Sequence, residues 1–176
     1  MLLKGKKVCL RAIEPEDVDR MMKWENDPAN WEVSGTIAPY SRSSMESLVR
    51  QSDQGVFQSG QLRLMIDEIQ TTETIGTLDL FDVDPLHRRA GVGILIAIPE
   101  KRRNGLAAES LSLLRDYAFD HLGLHQLYCN VLTDNPASLH LFEKAGFAKT
   151  GEFKDWIKRS SCYKNQYFLQ LLNDRE

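Results

Sequence analysis

The residues with the clearest chemical potential lie between positions 99 and 113, in the stretch PEKRRNGLAAESLSL. Arg102, Arg103 and Gly105 come just before an amphipathic apolar pattern, which places them at the beginning of a helix. A helix N-terminus carries unpaired N–H groups and partial positive charge, and phosphate is the ligand that suits it. Glycine lets an anion approach the backbone, and arginine adds charge-assisted hydrogen bonds. An ordinary basic surface loop is the alternative, because the common phosphate-loop motifs are absent.

The elements on either side of this loop follow from the apolar pattern. Gly91–Ile98 (GVGILIAI) is almost wholly apolar, which is typical of a strand buried on both faces, and Pro99 ends it because proline has no N–H. From Gly105 to Leu122 apolar residues recur at helical spacing, and Gly123 suits a C-terminal cap. The loop therefore connects a buried strand to an amphipathic helix.

The rest of the chain alternates between strands and helices. Pro15 begins a helix that ends at Asp27-Pro28, and Asn135 with Pro136 begins another. Residues 29–42 are expected to form an irregular loop. Further strands are expected at Val8–Ile13, 62–67, 73–81, 126–132, 148–157 and 163–172, and a further helix is expected at 44–54. We predict an α/β (α+β) fold, with residues 1–176 as a single domain built on a mixed β-sheet of about six to seven strands and about four helices.

Composition narrows the classes of function. The net charge of −3 and the pI of about 5.8 argue against general affinity for nucleic acid. Cys9, Cys129 and Cys162 form no C-x-x-C pair, and no His, Cys or carboxylate cluster has metal-site spacing. No apolar run approaches the roughly 18 residues of a membrane span. We therefore expect a cytoplasmic protein with reduced cysteines, no metal and no membrane partner.

Four stretches of the chain resemble the GNAT superfamily of acyl-CoA N-acyltransferases. Arg102, Gly105 and Ala107 match the family motif Arg/Gln-x-x-Gly-x-Gly/Ala. NPASLHLFEKAGF (135–147) resembles the second family signature, an Asn-x-x-[Ala/Ser] motif that ends in Gly-Phe. HRRAGVGILI (87–96) and LRAIEPEDVDRMMKWENDP (10–28) are similar to the branch that contains spermidine and diamine N-acetyltransferases and ribosomal-protein alanine N-acetyltransferases. The likeness spans residues 8–172.

The resemblance implies that acetyl-CoA binds at the loop and at the strand before it. In the family this strand splays from its neighbour and bonds the pantetheine arm, which here assigns Ile96, Ala97 and Ile98. A backbone N–H near Ala97 or Ile98 is the expected oxyanion donor. Asn135 matches an asparagine that contacts pantetheine, and a plain helix cap is its alternative role. The diphosphate is expected on Arg102, Arg103, Asn104, Gly105, Leu106 and Ala107.

Two positions depart from the family pattern. Phe142 stands where many relatives carry a tyrosine that protonates the departing thiolate, so another group or water must supply that proton. Gly91 stands where polyamine-acetylating relatives have a glutamate, and its lack of a carboxylate argues against a polyamine substrate.

The acceptor amine needs a base to take its proton, and carboxylates can serve, directly or through water. We expect Asp82 and Glu25 in this role, with Asp79 and Trp31 binding the acceptor and Tyr40 completing an apolar wall. Solvated carboxylates and core or lid aromatic residues are the structural alternatives.

Asp79 alternates with Leu78 and Leu80 along a predicted strand. Successive side chains of a strand point to opposite faces, so Asp79 should face away from both leucines.

The resemblance implies an acetyl-CoA-dependent N-acetyltransferase that acts by direct attack in a ternary complex. The expected acceptor is a primary amine of a small molecule, either diamine- or polyamine-like or an amino sugar. Two alternatives stay open. One is transfer to a protein N-terminus, as in the ribosomal-protein branch, and the other is a non-catalytic acyl-CoA-binding module, which Phe142 would permit. A homo-oligomer is consistent with the sequence.

Overall fold

The computed structural model of the chain describes residues 3–34, 36–159 and 161–174. Its strands are β1 (Leu3–Lys4), β2 (Val8–Ala12), β3 (Leu62–Glu68), β4 (Thr74–Asp84), β5 (Arg89–Ile96), β6 (Gln126–Leu132), β7 (Ala148–Arg159) and β8 (Cys162–Leu172). They form one 8-stranded sheet in the order β1-β2-β3-β4-β5-β6-β8-β7. The β5–β6 pair is parallel and all other neighbours are antiparallel, so the sheet is mixed, as predicted.

The helices lie between these strands. They are α1 (Val18–Glu25), α2 (Pro28–Ser34), α3 (Arg42–Gln51), α4 (Val56–Ser59), α5 (Leu106–Asp116) and α6 (Pro136–Lys144). A 3-10 turn (Pro15–Asp17) precedes α1, another (Pro99–Lys101) follows β5, and α5 continues into a π-helical turn (Tyr117–His121). The predicted fold class is confirmed, although the described residues add the short β1, α2 and α4 to the predicted elements.

The sheet has an apolar cluster on each face. Leu78 and Leu80 of β4 are 0% and 1% exposed and belong to the cluster that contains residues of α5 and α6. Met65 of β3 belongs to the other cluster, with residues of α1 and α3. Asp79 lies between the two leucines and therefore faces α1 and α3, as its alternation predicted.

The expected irregular loop over residues 29–42 is wrong for its first part, because α2 begins at Pro28. The carboxylate Oδ1 of Asp27 accepts the N–H of Ala29 at 2.9 Å and so supports the first turn. Proline interrupts a helix but also suits its first turn, so Asp27-Pro28 ends α1 and starts α2. Residue 35 lies outside the described residues.

Candidate active site: a cleft between two splayed strands

The sheet opens between β5 and β6. In the described chain these strands pair only at Arg89–Gly91 against Gln126–Tyr128. β5 continues along β4 to Ile96, and β6 continues along β8 to Leu132. The backbone groups that would join β5 to β6 therefore border a wedge in the middle of the sheet.

The hydrogen bonds of β5 show which backbone groups face this wedge. The N–H of Ala97 donates to the carbonyl of Ile75 at 2.9 Å. Residues of an antiparallel strand bond alternately to one side and the other, so Ile94 and Ile96 turn their backbone groups toward the wedge. The Ile96 carbonyl already accepts Nε–H of Arg102 at 2.9 Å. Of the two amides expected near the oxyanion, that of Ala97 is thus occupied and that of Ile98 lies beyond the end of β5, whereas the Ile96 N–H faces the wedge.

The loop between β5 and α5 has the form expected of an anion site. Ile98 accepts a hydrogen bond from Lys101 N–H at 3.1 Å, which turns the chain out of the sheet. Arg103 and Gly105 have positive φ angles of 64° and 79°, and Gly105 is the residue that caps α5. The first N–H groups of α5, at Leu106 and its neighbours, have no carbonyl acceptor within the helix.

Lys7 is a member of this loop region that the sequence analysis missed. Its ammonium Nζ donates to the carbonyl of Asn104 at 3.0 Å and would lie 3.3 Å from a Cβ added at Gly105. A cation beside a helix N-terminus is unfavourable by itself and becomes favourable when an anion lies between them. Lys7 and the loop arginines thus supply positive charge at the place where a diphosphate would bind.

The side chain of Glu109 holds Lys7 in place. Its carboxylate accepts the backbone N–H groups of Lys6, Lys7 and Val8 at 2.8, 2.7 and 3.0 Å. Burial by itself would raise the pKa of Glu109, but these three hydrogen bonds and the charge of Lys7 outweigh it and lower the pKa below its ordinary value. The ionised carboxylate therefore fixes the β1–β2 turn against α5.

A row of facing residues crosses the sheet on the side of α1 and α3. Arg63 of β3 lies opposite Asp79 of β4, which lies opposite Gly93 of β5. Arg63 donates from Nε to Asp79 Oδ1 at 2.6 Å and from Nη2 to Oδ2 at 3.2 Å. Its Nη1 donates to Oε1 of Glu25 at 2.7 Å, and Glu25 is only 6% exposed. Burial by itself lowers the pKa of Arg63, but the two carboxylates outweigh it and raise the pKa, so the guanidinium stays charged.

This row opens into a cleft of about 470 Å³ that extends along the wedge. Of the described residues that line it, the charged ones are Glu25, Arg63 and Asp79. The other lining residues are Ile13, Tyr40, Leu48, Gln51, Ser52, Gln61, Leu62, Thr77, Leu80, Phe81, Val92, Gly93, Ile94, Leu95, Asn130, Val131, Leu132, Asn135, Ser138, Ile157 and Gln166. The cleft thus combines an acidic end with a border of free strand backbone.

Gly91 lacks a side chain because an aromatic ring occupies the space. A Cβ built there would lie 2.2 Å from Cε2 and 2.4 Å from Cζ of Phe81. The Phe81 ring also contacts Tyr128 edge-on, with centroids 5.9 Å apart. A glutamate at Gly91 and the Phe81 ring in this position therefore exclude each other.

The beginning of α6 also borders the cleft. Asn135 Oδ1 accepts the N–H of Ser138 at 3.1 Å, and both side chains line the cleft, so Asn135 is a helix cap that also lies in position for a ligand. Phe142, one turn after Ser138, is 4% exposed and packs edge-on against Phe147 with centroids 5.2 Å apart. Phe142 is therefore part of the core.

Two expected acceptor residues lie outside the lining of the cleft. Asp82 is exposed at an irregularity of β4, has a φ of 48°, and accepts a hydrogen bond from the Tyr128 hydroxyl at 3.3 Å. Trp31 donates its indole N–H to the carbonyl of Glu25 at 2.8 Å and so supports the end of α1. Tyr40 does line the cleft.

The described residues contain no group of three or more His, Cys, Asp or Glu side chains that could hold a metal ion. None of the described helices is long and apolar enough to cross a membrane.

Sequence comparison identifies relatives along most of the chain. Residues 7–148 match the acetyltransferase (GNAT) domain family. The spermidine N(1)-acetyltransferase of Vibrio cholerae is 29% identical over 166 residues, which are 93% of each chain. The uncharacterized N-acetyltransferase YoaA of Bacillus subtilis is 30% identical over an alignment of 179 positions, gaps included, which covers 99% of this chain and 98% of the relative.

Solved structures show the same architecture. A crystal structure of the Vibrio cholerae spermidine N-acetyltransferase with CoA and spermine has a TM-score of 0.84 and 25% identity, and the match covers 96% of both chains. A dodecameric structure of the Vibrio cholerae enzyme in an intermediate state gives a TM-score of 0.76 at 25% identity, with 96% and 95% covered. The splayed strands, the capped loop and these matches together show that the chain belongs to the GNAT acetyltransferase family and is an N-acetyltransferase.

Proposed function

We propose that this protein transfers the acetyl group of acetyl-CoA to a primary amine of a small cationic molecule, by direct attack while both substrates are bound. The observation that carries the proposal is the cleft, which joins the wedge between β5 and β6 to a pair of carboxylates, Glu25 and Asp79. Holding both reactants in one cleft supplies much of the rate.

The donor end follows from the backbone. Acetyl-CoA supplies the activated acyl group, and the residues present fit it. The loop over Arg102–Ala107 and Lys7 offer amides and cations to the diphosphate, and Gly105 leaves the helix terminus accessible. The Ile96 N–H and the Asn135 amide border the path of the pantetheine arm. We assign Ile96 rather than Ala97 to the oxyanion, because the Ala97 amide already donates to Ile75.

The acceptor end follows from the charges. Asp79 and Glu25 attract the ammonium form of the acceptor, and a carboxylate, directly or through water, takes the proton that the amine must lose. Asp82 stays a candidate base, although its exposed position makes Glu25 and Asp79 the better placed carboxylates. Trp31 acts indirectly in this proposal, because it supports the end of α1 that carries Glu25.

The departing thiolate needs a proton that Phe142 cannot give. Ser138 lies one turn earlier on α6, lines the cleft and carries a hydroxyl donor. We assign the proton to water, which can reach the beginning of α6 because Pro136 and Ala137 are exposed there.

Three further features belong to the proposal. Two Vibrio cholerae structures describe an enzyme that acts on spermidine, one with spermine bound and one dodecameric, which supports a small cationic acceptor and self-association here. We place the protein in the cytoplasm, because its described cysteines, Cys9, Cys129 and Cys162, are all unpaired. We also treat residues 1–176 as one acyltransferase domain, because the described strands share one sheet.

The test is a product screen with acetyl-CoA and a panel of monoamines, diamines, polyamines, amino sugars and N-terminal peptides. Acetylated product should be followed by mass, because the exposed Cys162 reacts with thiol reagents and would obscure the release of CoA. Product from small amines is the expected result. Product from peptides alone would favour the protein N-terminus. Thermal stabilisation by acetyl-CoA with no product from any acceptor would mean a non-catalytic binding module.

A further inference from the structure

The net charge of the acceptor end depends on Arg63. The charged residues among the described lining of the cleft are the carboxylates of Glu25 and Asp79 and the guanidinium of Arg63. We propose that Arg63, by neutralising one of the two carboxylates, makes the site selective for an acceptor amine with one positive charge and disfavours diamines and polyamines. This inference rests on the amine acetylation proposed above and names the class of amine.

Arg63 holds both carboxylates at once. It bonds Asp79 through Nε and Nη2 at 2.6 and 3.2 Å, and Glu25 through Nη1 at 2.7 Å. The planar guanidinium holds Asp79 in a bidentate geometry and Glu25 through a single bond, an arrangement that a lysine would not reproduce. An incoming ammonium therefore meets a site with one unbalanced negative charge rather than two.

Gly93 leaves one carboxylate oxygen of Asp79 accessible to the acceptor. A Cβ added at Gly93 would lie 4.0 Å from Asp79 Oδ2 and 3.8 Å from Cε1 of Phe81. These are ordinary contact distances, so the missing side chain leaves a slot between the carboxylate and the aromatic ring. Asp79 Oδ2, whose bond to Arg63 is the longer of the pair, is the oxygen at this slot. An ammonium bonded to Oδ2 would lie at this slot, between the carboxylate and the Phe81 ring.

A second ammonium would find no counter-charge in the described lining. The rest of the described lining includes the apolar Leu48 and Leu62 and the neutral Gln51 and Gln61. The Phe81 ring excludes a carboxylate at Gly91. A second charge entering this part of the cleft would lose hydration without an ionic partner, which is unfavourable.

The first test uses the wild-type protein and two amines with the same five-carbon chain, pentylamine and 1,5-diaminopentane, with acetyl-CoA. We expect kcat/KM for pentylamine to be higher by about tenfold, equivalent to about 1.4 kcal/mol. A diamine used as well as or better than the monoamine overturns the inference while leaving amine acetylation intact. Absence of product from every amine overturns the proposed function instead, and this inference with it.

The second test changes the charge. In Arg63→Met, the two carboxylates are no longer neutralised, and the ratio of dissociation constants for the two amines, measured by calorimetry with CoA present, should shift toward the diamine by at least about tenfold. Adding Glu25→Gln to Arg63→Met restores the original net charge and should return the preference to the monoamine. A merely structural role for Arg63 would weaken both amines equally and leave the ratio unchanged, which overturns the inference.

Two control variants complete the design. Arg63→Lys keeps the charge and should keep the preference for the monoamine, even where both amines bind more weakly. Arg42→Met removes an exposed arginine paired with Asp19, outside the cleft lining, and should leave the ratio unchanged. If Arg63→Met does not fold, the inference is still tested by the two amines with the wild-type protein and with Arg63→Lys. A shift of the amine preference of Arg63→Lys toward the diamine also overturns the inference.

Discussion

Replacing Gly91 with alanine tests the packing that distinguishes this cleft. The new methyl group would lie 2.2 Å from Cε2 and 2.4 Å from Cζ of Phe81, far inside van der Waals contact. The ring must therefore move, which disturbs its edge-on contact with Tyr128. Overpacking of this kind costs about 1–3 kcal/mol. For a chain of this size that corresponds to a fall in Tm of roughly 2–12 °C.

Gly93→Ala is the matched control, because it lies two residues further along β5 on the same face. Its Cβ would meet Phe81 and Asp79 at 3.8 and 3.9 Å, which are ordinary contacts. Any general effect of adding a methyl group to a strand glycine, about 0.5–1 kcal/mol, is shared by both variants and cancels in their difference.

The assay is urea or thermal unfolding followed by circular dichroism, on both glycine variants and on Phe81→Leu with and without Gly91→Ala. Phe81→Leu removes the clashing ring atoms, so the double variant should be more stable than the sum of the single effects predicts, by about 1 kcal/mol or more. Equal melting of Gly91→Ala and Gly93→Ala, or strict additivity of Gly91→Ala with Phe81→Leu, would refute the steric explanation.

Further variants test the donor site and the fold. Gly105→Ala and Gly123→Ala introduce a side chain at similar positive φ angles, 79° and 66°, so both should lose stability, but only Gly105→Ala should raise the dissociation constant of acetyl-CoA in calorimetry. Lys7→Met should weaken acetyl-CoA binding about two- to fivefold at low salt, and a Kd equal to wild type would remove Lys7 from the diphosphate site. Asn135→Ala should lose the helix cap and with it about 1 kcal/mol of folding stability, whereas Asn135→Asp keeps the cap. Weakened acetyl-CoA binding in both variants would show that the Asn135 side-chain amide contacts the ligand. Burial by itself would raise the pKa of Asp17, but its ion pairs and hydrogen bonds outweigh burial and lower the pKa. The contribution of Asp17 to stability is therefore present at neutral pH and is lost as the pH falls below about 4. The variant Asp17→Asn should unfold more easily than wild type at pH 7 and should lose less stability in acid.

Local patterns predicted the strand and the helix that border the proposed donor half of the site. Asn135-Pro136 marks the beginning of α6 because the cap and the first-turn proline are adjacent in sequence. The run GVGILIAI indicates a buried strand because its side chains are apolar on both faces, and the strand lies beside the wedge. Both signals act within a few residues, so no knowledge of the tertiary structure was needed.

The acceptor half depends on contacts between distant residues. Arg63 meets Asp79 through strand register and meets Glu25 because α1 packs over the sheet, and neither relation is visible in local spacing. Lys7 reaches Asn104 only because the β1–β2 turn packs against α5. The wrong loop at residues 29–42 has a different cause, since a proline signals both the end of one helix and the first turn of the next.

The wedge between β5 and β6 gives this sheet interior edges in addition to its outer strands β1 and β7. An unpaired edge is a template for any extended chain, and proteins usually protect theirs with charge, bulges or covering segments. Here the pantetheine arm would take the place of a missing strand, much as an added peptide strand completes a partner's sheet. Saturation by the cosubstrate, at about 100 times Kd, would add about 2.7 kcal/mol of stability. Cellular supply of acetyl-CoA would then govern how well the interior edges are shielded from aggregation, as well as how fast the enzyme works.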